Sequence, residues 1–205
     1  MAPANLYELT TTNKKRTKAI VKPSNTPSPI FDLDLSWCMR DLSPKKGQHS
    51  IVMRSLSSPS STSEVSGNGD APVIGTCDLS FKSLSNPIHL GLGDPESAPE
   101  SVIREDLRCT KKWMTNGFEL SVDLGRGRGG SAGNPARMFD WLHLKMVEQG
   151  SQRVVARFVH NPLWGCKRGV FELEEYDGGQ DWDKIVILSG SAVLEYLRKM
   201  SGYSY

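Results

Sequence analysis

Five basic residues lie close together near the amino terminus: Lys14, Lys15, Arg16, Lys18 and Lys22. Only the carboxylate of Glu8 opposes them in this segment, so its net charge is about +4. Basic residues held near an anionic membrane contribute about 1 kcal/mol each, and a total of about 4–5 kcal/mol supports weak, reversible attachment. A nuclear-import signal or a contribution to solubility explains the same residues equally well.

Trp164 is a second residue with the chemistry of a membrane or partner contact. It follows Pro162 and Leu163 in a turn between two predicted strands. An exposed Leu-Trp pair can insert at a membrane interface or anchor a protein partner. The alternative is that Trp164 packs against the end of the folded domain. The candidate lipid or membrane contacts are therefore Lys14, Lys15, Arg16, Lys18 and Trp164.

A glycine-rich stretch contains the pattern of a nucleotide-binding loop but lacks its context. Gly125, Gly127 and Gly130 form G-x-G-x-x-G after a predicted strand. In a dinucleotide-binding fold a helix follows and presents its amino terminus to the pyrophosphate. Here a loop through Pro135 and a further strand follow, which indicates a hairpin loop.

Other patterns of catalysis or binding are equally weak. Arg126 and Arg128 resemble a fragment of an RGG tract, but two arginines give little affinity for nucleic acid. The four histidines lack the spacing of a zinc site. No G-x-S-x-G motif is present. We therefore expect no enzyme activity, no cofactor and no metal.

Composition predicts one domain in a reducing compartment. The chain has 205 residues and a net charge of +2, so the whole molecule has no strong attraction to nucleic acid or to an anionic membrane. Its four cysteines are widely spaced, which favours free thiols. The first residues lack the apolar core of a secretory signal. We expect an intracellular protein, cytoplasmic or peripheral to a membrane.

Hydrophobic alternation with a period of two residues predicts an antiparallel sheet joined by short polar turns. The predicted strands run over 31–37, 50–55, 76–81, 118–124, 138–147, 153–160 and 168–173. Residues expected to point inward in two of them are Leu142, Leu144, Met146, Val154, Ala156 and Phe158. Residues 84–100 are expected to be mostly loop, and 101–112 a short helix or an extended connector.

The carboxyl-terminal segment predicts a helix over about 183–200, with Asp181 or Asp183 as its N-cap. Its uncharged part, residues 185–194, spans about 15 Å as a helix, half of the ~30 Å hydrocarbon core of a bilayer. A short helix that is apolar on every face belongs in a protein core. We therefore expect the sheet to surround it.

The domain organisation follows from these elements. Residues 1–29 are expected to form a flexible basic arm, although residues 6–9 could add an edge strand. Residues 30–205 are expected to form a single domain, which the resemblance described next implies is a β-barrel. Within it, the serine-rich segment 56–70 has little to bury and is predicted to be a disordered loop.

Six stretches between Ser50 and Met200 carry a resemblance to known domains: Val73–Leu79, Met138–Trp141, Leu142–Val147, Arg153–Phe158, Lys167–Leu173 and Asp183–Gly190. They resemble an uncharacterised fungal domain family of tubby C-terminal-like shape, and are more distantly similar to LURP-one-related and phospholipid scramblase domains. The resemblance implies a mainly β (α+β) fold, an antiparallel β-barrel enclosing a buried C-terminal helix. It carries over no site residue.

Three functions remain open at this point. The resemblance implies a non-enzymatic lipid- or membrane-associated binding or adaptor module, whose partner is an anionic phospholipid or membrane surface. The alternative is a protein-interaction scaffold that acts through the serine-rich loop and the basic arm. A more distant third is an enzyme with a pocket in the barrel mouth. The sequence identifies neither the ligand nor the oligomeric state.

Overall fold

The computed structural model describes residues 5–13, 15–35, 49–56, 71–79, 87–112, 115–122, 137–161, 167–176 and 179–201. Over these ranges the chain forms twelve β-strands and one long α-helix, α1 (Gly179–Ser201). The strands are β1 (Asn5–Thr11), β2 (Lys18–Pro23), β3 (Phe31–Asp34), β4 (Ile51–Ser55), β5 (Val73–Asp78), β6 (Ile88–Leu92), β7 (Ile103–Lys112), β8 (Thr115–Val122), β9 (Arg137–Leu142), β10 (Lys145–Glu148), β11 (Val154–His160) and β12 (Lys167–Leu173).

The twelve strands form a closed antiparallel barrel. Each strand pairs with the next along the chain, and β1 also pairs with β12 to close the sheet. Closure leaves no sheet edge with unpaired backbone groups. Because the strands alternate in direction, the connections after odd-numbered strands lie at one end of the barrel, and those after even-numbered strands at the other. We call these the odd end and the even end. Helix α1 follows β12, so it begins at the even end and finishes at the odd end.

The helix lies inside the barrel, as the apolar carboxyl-terminal segment predicts. Residues 185–193 are all buried, and they contact strands from different sides of the sheet. On one side, Leu188 lies against Gly75 of β5. On another, the indole Nε1 of Trp141 in β9 donates a hydrogen bond to Ser189 Oγ at 3.1 Å. A helix surrounded in this way must be apolar on every face, which explains its composition.

The start of the helix differs from the sequence-based expectation. Helix α1 begins at Gly179, so Asp181 and Asp183 lie within its first turns and neither is the N-cap. Asp183 instead accepts a hydrogen bond from the hydroxyl of Tyr7 in β1 at 2.6 Å. The pattern of apolar residues could not reveal this because the first turn is polar and contains only Trp182 as a large apolar residue.

Several predicted strands are confirmed by burial of alternate residues. Phe31, Leu33 and Leu35 point into the barrel, and so do Phe118 and Leu120. Strand β4 pairs with β3, as expected for 50–55. The predicted continuation of two strands to Trp37 and Leu124, the glycine-rich loop 125–135 and residue Phe81 lie outside the described residues.

The expected flexible arm over residues 1–29 is wrong for its two strand segments. Strands β1 and β2 belong to the barrel, and β1 supplies the pairing with β12 that closes it. Tyr7, Leu9, Ala19 and Val21 are buried in the core. Polar and basic residues interrupt the alternation of apolar residues in these two segments. The strands are stabilised by pairing with their neighbours in the barrel.

Residues 84–112 also differ from expectation, because they contain two barrel strands. Strand β6 occupies part of the segment predicted as loop, and β7 occupies the segment predicted as a short helix or connector. Ile88, Leu90 and Leu92 are buried from β6, whereas Leu107 is buried from β7. The glycine, proline and serine residues around β6 favoured a loop, and among the described side chains of β7 only Leu107 is buried, so neither strand was recognised.

The single strand predicted over 138–147 is a tight hairpin formed by β9 and β10. Its two turn residues, His143 and Leu144, have left-handed φ angles of 47° and 62°. Two such residues are typical of a type I′ turn, whose twist matches that of the flanking strands. Trp141 and Met146 are buried, but Leu142 and Leu144 are only half-buried, which corrects the expected inward face.

A bulge changes the inward face of β11. The register between β10 and β11 shifts at Met146 and Val147, which pair with Ala156 and Val154. Val154 is consequently exposed, whereas Val155 and Ala156 are both buried. The expectation that Val154 points inward is therefore wrong, and the expectation for Ala156 and Phe158 is confirmed.

Two further expectations are only partly covered by the described residues. The loop predicted to be disordered, 56–70, lies outside them except for Leu56, whose backbone N–H donates to the carbonyl of Ile30 at 2.8 Å. Neither Cys77 nor Cys109 forms a disulfide bond, as expected, and the other two cysteines lie outside the described residues.

Gly190 allows the helix to fit against the barrel wall. A Cβ at this position would lie 2.5 Å from Cε1 of Phe171 and 3.1 Å from Cη2 of Trp141, and both rings are fully buried. We expect Gly190→Ala to lower the free energy of unfolding by about 1–3 kcal/mol, because the wall cannot move aside. This steric cost outweighs the gain of about 1 kcal/mol in helix propensity that alanine has over glycine. Denaturant unfolding of the variant measures the net effect.

Gly150→Ala is the matched control, because no atom lies within 4 Å of the Cβ position at Gly150. It should leave the denaturation midpoint nearly unchanged. Stabilisation by Gly190→Ala would contradict the close packing of α1 on Phe171.

Candidate functional site at the odd end of the barrel

The β1–β2 hairpin at the odd end carries three of the predicted contact residues. Its turn is held by Asn13, whose side-chain oxygen accepts the backbone N–H of Thr17 at 2.9 Å and whose amide donates to Thr17 Oγ1 at 2.7 Å. Lys15 and Lys18 are exposed, and Arg16 is half-buried with a left-handed φ of 54°. The basic residues therefore stand on an ordered hairpin.

Two of the predicted contacts are not placed. Lys14 and Trp164 lie outside the described residues. The strands that flank the segment of Trp164 are described, and they meet the odd end at His160 and Lys167. Because β1 pairs with β12, the strand that follows this segment lies beside the basic hairpin.

A β-bulge at the same end redirects Arg168. Leu9 pairs with Gly169 and Thr10 with Lys167, so Arg168 is the extra residue between two paired positions. Bulges change the direction of a side chain and are common at the rims of barrels. Here the bulge accompanies an inward turn, because the guanidinium of Arg168 reaches Glu195 on the internal helix.

Glu195 is the centre of a buried group of charges. Its Oε1 lies 2.7 Å from Nη1 of Arg168, and its Oε2 lies 2.6 Å from Nη2 of Arg198. The side chain of Glu195 is 1% exposed, and those of Arg168 and Arg198 are 15% and 14% exposed. Both contacts are close ion pairs, although their angles depart from those of well-directed hydrogen bonds. We call Arg168, Glu195 and Arg198 the charge triad.

Basic side chains outnumber acidic ones among the described residues at the odd end. The basic ones are Lys15, Arg16, Lys18, Lys145, Arg168, Arg198 and Lys199, and the acidic ones are Asp34, Asp78 and Glu195. His49 at this end is 2.9 Å from Asp78, and this hydrogen bond raises the pKa of the imidazole above its usual value. Protonation of His49 as the pH falls therefore adds positive charge to the odd end.

At the even end, by contrast with the basic odd end, an aromatic cluster packs over the start of the helix. The ring of Tyr176 stacks on Trp182 with centroids 4.3 Å apart, and its hydroxyl donates to Glu148 at 2.7 Å. The guanidinium carbon of Arg137 lies 4.9 Å from the centroid of the Tyr176 ring, and Arg137 donates a hydrogen bond to the Tyr176 hydroxyl. Hydrogen bonds from Ser151 and Tyr176 lower the pKa of Glu148. These contacts close the barrel around the helix.

The charge triad was not predicted from the sequence. One signal was available, because Glu195 follows ten uncharged residues in a helix expected to be buried and has Arg198 one turn later. A buried carboxylate requires a partner of opposite charge. Arg198 could have been identified on this ground. Arg168 could not, since its inward direction depends on a bulge in the pairing of β12 with β1.

Two classes of site find no support among the described residues. No group of three or more His, Cys, Asp or Glu side chains within those ranges is arranged to hold a metal ion. Over the same ranges, no helix has both the length and the apolar composition needed to cross a membrane.

Comparisons of the chain with protein-family models, with curated proteins and with solved structures find no match. The odd end therefore has to be interpreted from its own geometry.

Proposed function

We propose that the protein is a non-enzymatic module that binds an anionic lipid surface through the odd end of its barrel. The observation that carries this proposal is the placement of Lys15, Arg16 and Lys18 on an ordered hairpin beside the charge triad. An ordered hairpin presents its charges together, so little conformational entropy is lost when they meet a surface.

The architecture supports the same proposal. A closed antiparallel barrel around a carboxyl-terminal helix is the fold implied by the resemblance to tubby C-terminal-like domains. We propose further that the protein is related to that group, whose relatives act at lipids and membranes. The alternative, a scaffold acting through the serine-rich loop, depends on residues 57–70, which lie outside the described residues.

Vesicle co-sedimentation tests the proposal. We expect the protein to bind vesicles that contain phosphatidylserine at low salt, and to bind less as salt screens the charges. The double variant Lys15→Ala with Arg16→Gly should lose about 2 kcal/mol of binding free energy, which is about 30-fold in affinity. Glycine is chosen at position 16 because it tolerates the left-handed φ of Arg16.

A matched control removes two positive charges from another part of the barrel. Arg104 and Arg108 are exposed on β7, so the variant Arg104→Ala with Arg108→Ala has the same net charge as the hairpin variant. It should retain most of the binding. Equal losses in the two variants would show a general charge effect, and no binding to anionic vesicles at low salt would refute the proposed function.

A further inference from the structure

All four histidines of the chain lie at the odd end of the barrel. His49 precedes β4 and His89 is the second residue of β6, and both strands begin at this end. His143 lies in the β9–β10 turn and His160 ends β11, and both of these connections are also at the odd end. The chain therefore carries its histidines at the same end as the basic hairpin.

Two of the histidines are paired with aspartates on neighbouring strands. Nδ1 of His49 lies 2.9 Å from Oδ1 of Asp78 on β5, and Nδ1 of His89 lies 2.8 Å from Oδ1 of Asp106 on β7. Arg108 lies 3.7 Å from the other oxygen of Asp106. An ionised carboxylate only accepts hydrogen bonds, so Nδ1 donates in both pairs and Nε2 takes up the proton as the pH falls. Protonation then cancels the negative charge of each pair.

Further carboxylates face these two imidazoles. Asp78 is also the register partner of His89 across β5 and β6, and Glu96 in the β6–β7 connection adds negative charge near His49. The hydrogen bond to Asp78 is the largest cause that raises the pKa of His49, and burial opposes it in part. The charged form of His49 is therefore held at the odd end by groups from two other elements.

The charged neighbours of the other two histidines are basic. Lys145 follows His143 by two residues, and Arg168 precedes Gly169, the register partner of His160. Both histidines are exposed. Protonation of either one adds a positive charge to those already present at this end.

We propose that the four histidines make attachment of the odd end to an anionic lipid surface dependent on pH, with tighter attachment at lower pH. The inference rests on the proposed function and adds its regulation. Above the titration range, the carboxylates of Asp78 and Asp106 oppose the attraction of the basic hairpin to the surface. Protonation of all four histidines adds four positive charges to a chain whose formal net charge is +2. The same end is then attracted more strongly.

Vesicle co-sedimentation of the full chain at two pH values tests the inference. Vesicles of phosphatidylcholine with phosphatidylglycerol are the probe, because the phosphodiester of phosphatidylglycerol keeps its single charge throughout. We expect affinity to rise at least about 30-fold between about pH 8 and about pH 5.5, which is the effect of two imidazolium groups at about 5-fold each. The increase should shrink as salt screens the charges.

Replacing all four histidines by glutamine should remove most of this increase. Glutamine stays neutral, and its amide can still donate a hydrogen bond to the same aspartates. If that variant does not fold, His143→Gln with His160→Gln decides, because both positions are exposed. This pair should reduce the increase at least about 5-fold.

A position control separates charge at the odd end from charge anywhere on the chain. Asn25 and Ser28 are exposed in the β2–β3 connection, which lies at the even end. Asn25→His with Ser28→His, added to the variant without the four histidines, places two imidazoles there. Its binding should be nearly the same at both pH values. An increase as large as that of the unchanged chain would overturn the inference.

The remaining outcomes separate the inference from the proposed function. Binding that is equal at both pH values would overturn the inference alone. So would an increase that survives the loss of all four histidines, or one that also occurs on vesicles of phosphatidylcholine alone. Binding at neither pH would refute the proposed function and the inference with it. An increase that requires both the histidines and the anionic lipid would support the inference.

Discussion

Removal of residues 179–205 is expected to abolish cooperative folding of the barrel. Within this segment seven large apolar side chains of α1 are buried: Trp182, Ile185, Val186, Ile187, Leu188, Val193 and Tyr196. Burial contributes about 1.5–3 kcal/mol for each, or about 10–20 kcal/mol in total before entropy is subtracted. The net stability of an ordinary domain is only about 5–15 kcal/mol. Without the helix the twelve strands would enclose a cavity that they cannot fill.

Circular dichroism and denaturant unfolding of a chain ending at Gly178 measure this effect. We expect loss of the near-ultraviolet signal and of a sigmoidal unfolding transition. Met200→Ala is a suitable control, because the side chain of Met200 is 47% exposed on the same helix. Its transition should be nearly unchanged. A truncated chain that unfolds cooperatively would show that the barrel is stable without its internal helix.

Glu195→Ala is expected to be the most destabilising of the single substitutions considered. It leaves the guanidinium groups of Arg168 and Arg198 buried beside each other without the carboxylate that both contact. Breaking a buried ion pair by removing one partner costs about 3–5 kcal/mol. For a chain of this length we expect Tm to fall by roughly 6–20 °C. Thermal unfolding measures this shift in Tm.

Glu172→Ala provides the comparison on the outer face of the barrel. Glu172 pairs with Arg157, whose side chain is 52% exposed, and exposed pairs contribute about 0–1 kcal/mol. Replacing the whole charge triad by Met at both arginines and Leu at Glu195 should recover most of the stability lost in Glu195→Ala, because no unpaired charge remains. Equal effects of Glu195→Ala and Glu172→Ala would contradict the burial of the triad.

The candidate site shows which kinds of residue can be found from sequence. The basic residues Lys15, Arg16 and Lys18 were identified because local charge density requires no knowledge of the fold. The structure changes their setting, since it places them on a barrel hairpin rather than on a flexible arm. Arg168 was not identified, because a single bulge in the β1–β12 register decides which way its side chain points.

The sequence by itself determined the elements in which apolar residues recur at short, regular intervals. Alternation over Phe31–Leu35 and Phe118–Val122 predicts barrel strands, and the apolar run 185–194 predicts a buried helix. In these segments nearly every apolar residue contributes to burial, so the period is visible without partners.

Only the tertiary structure decided how the barrel closes and where its charges meet. Strands β1, β2, β6 and β7 lie in segments rich in polar, basic, glycine or serine residues. They are stabilised by hydrogen bonds to neighbours that are in place only when the sheet is complete. The charge triad joins positions 168, 195 and 198, which come together because the helix passes through the barrel to its odd end. Such contacts depend on register and on the direction of the chain, and a local pattern of residues contains neither.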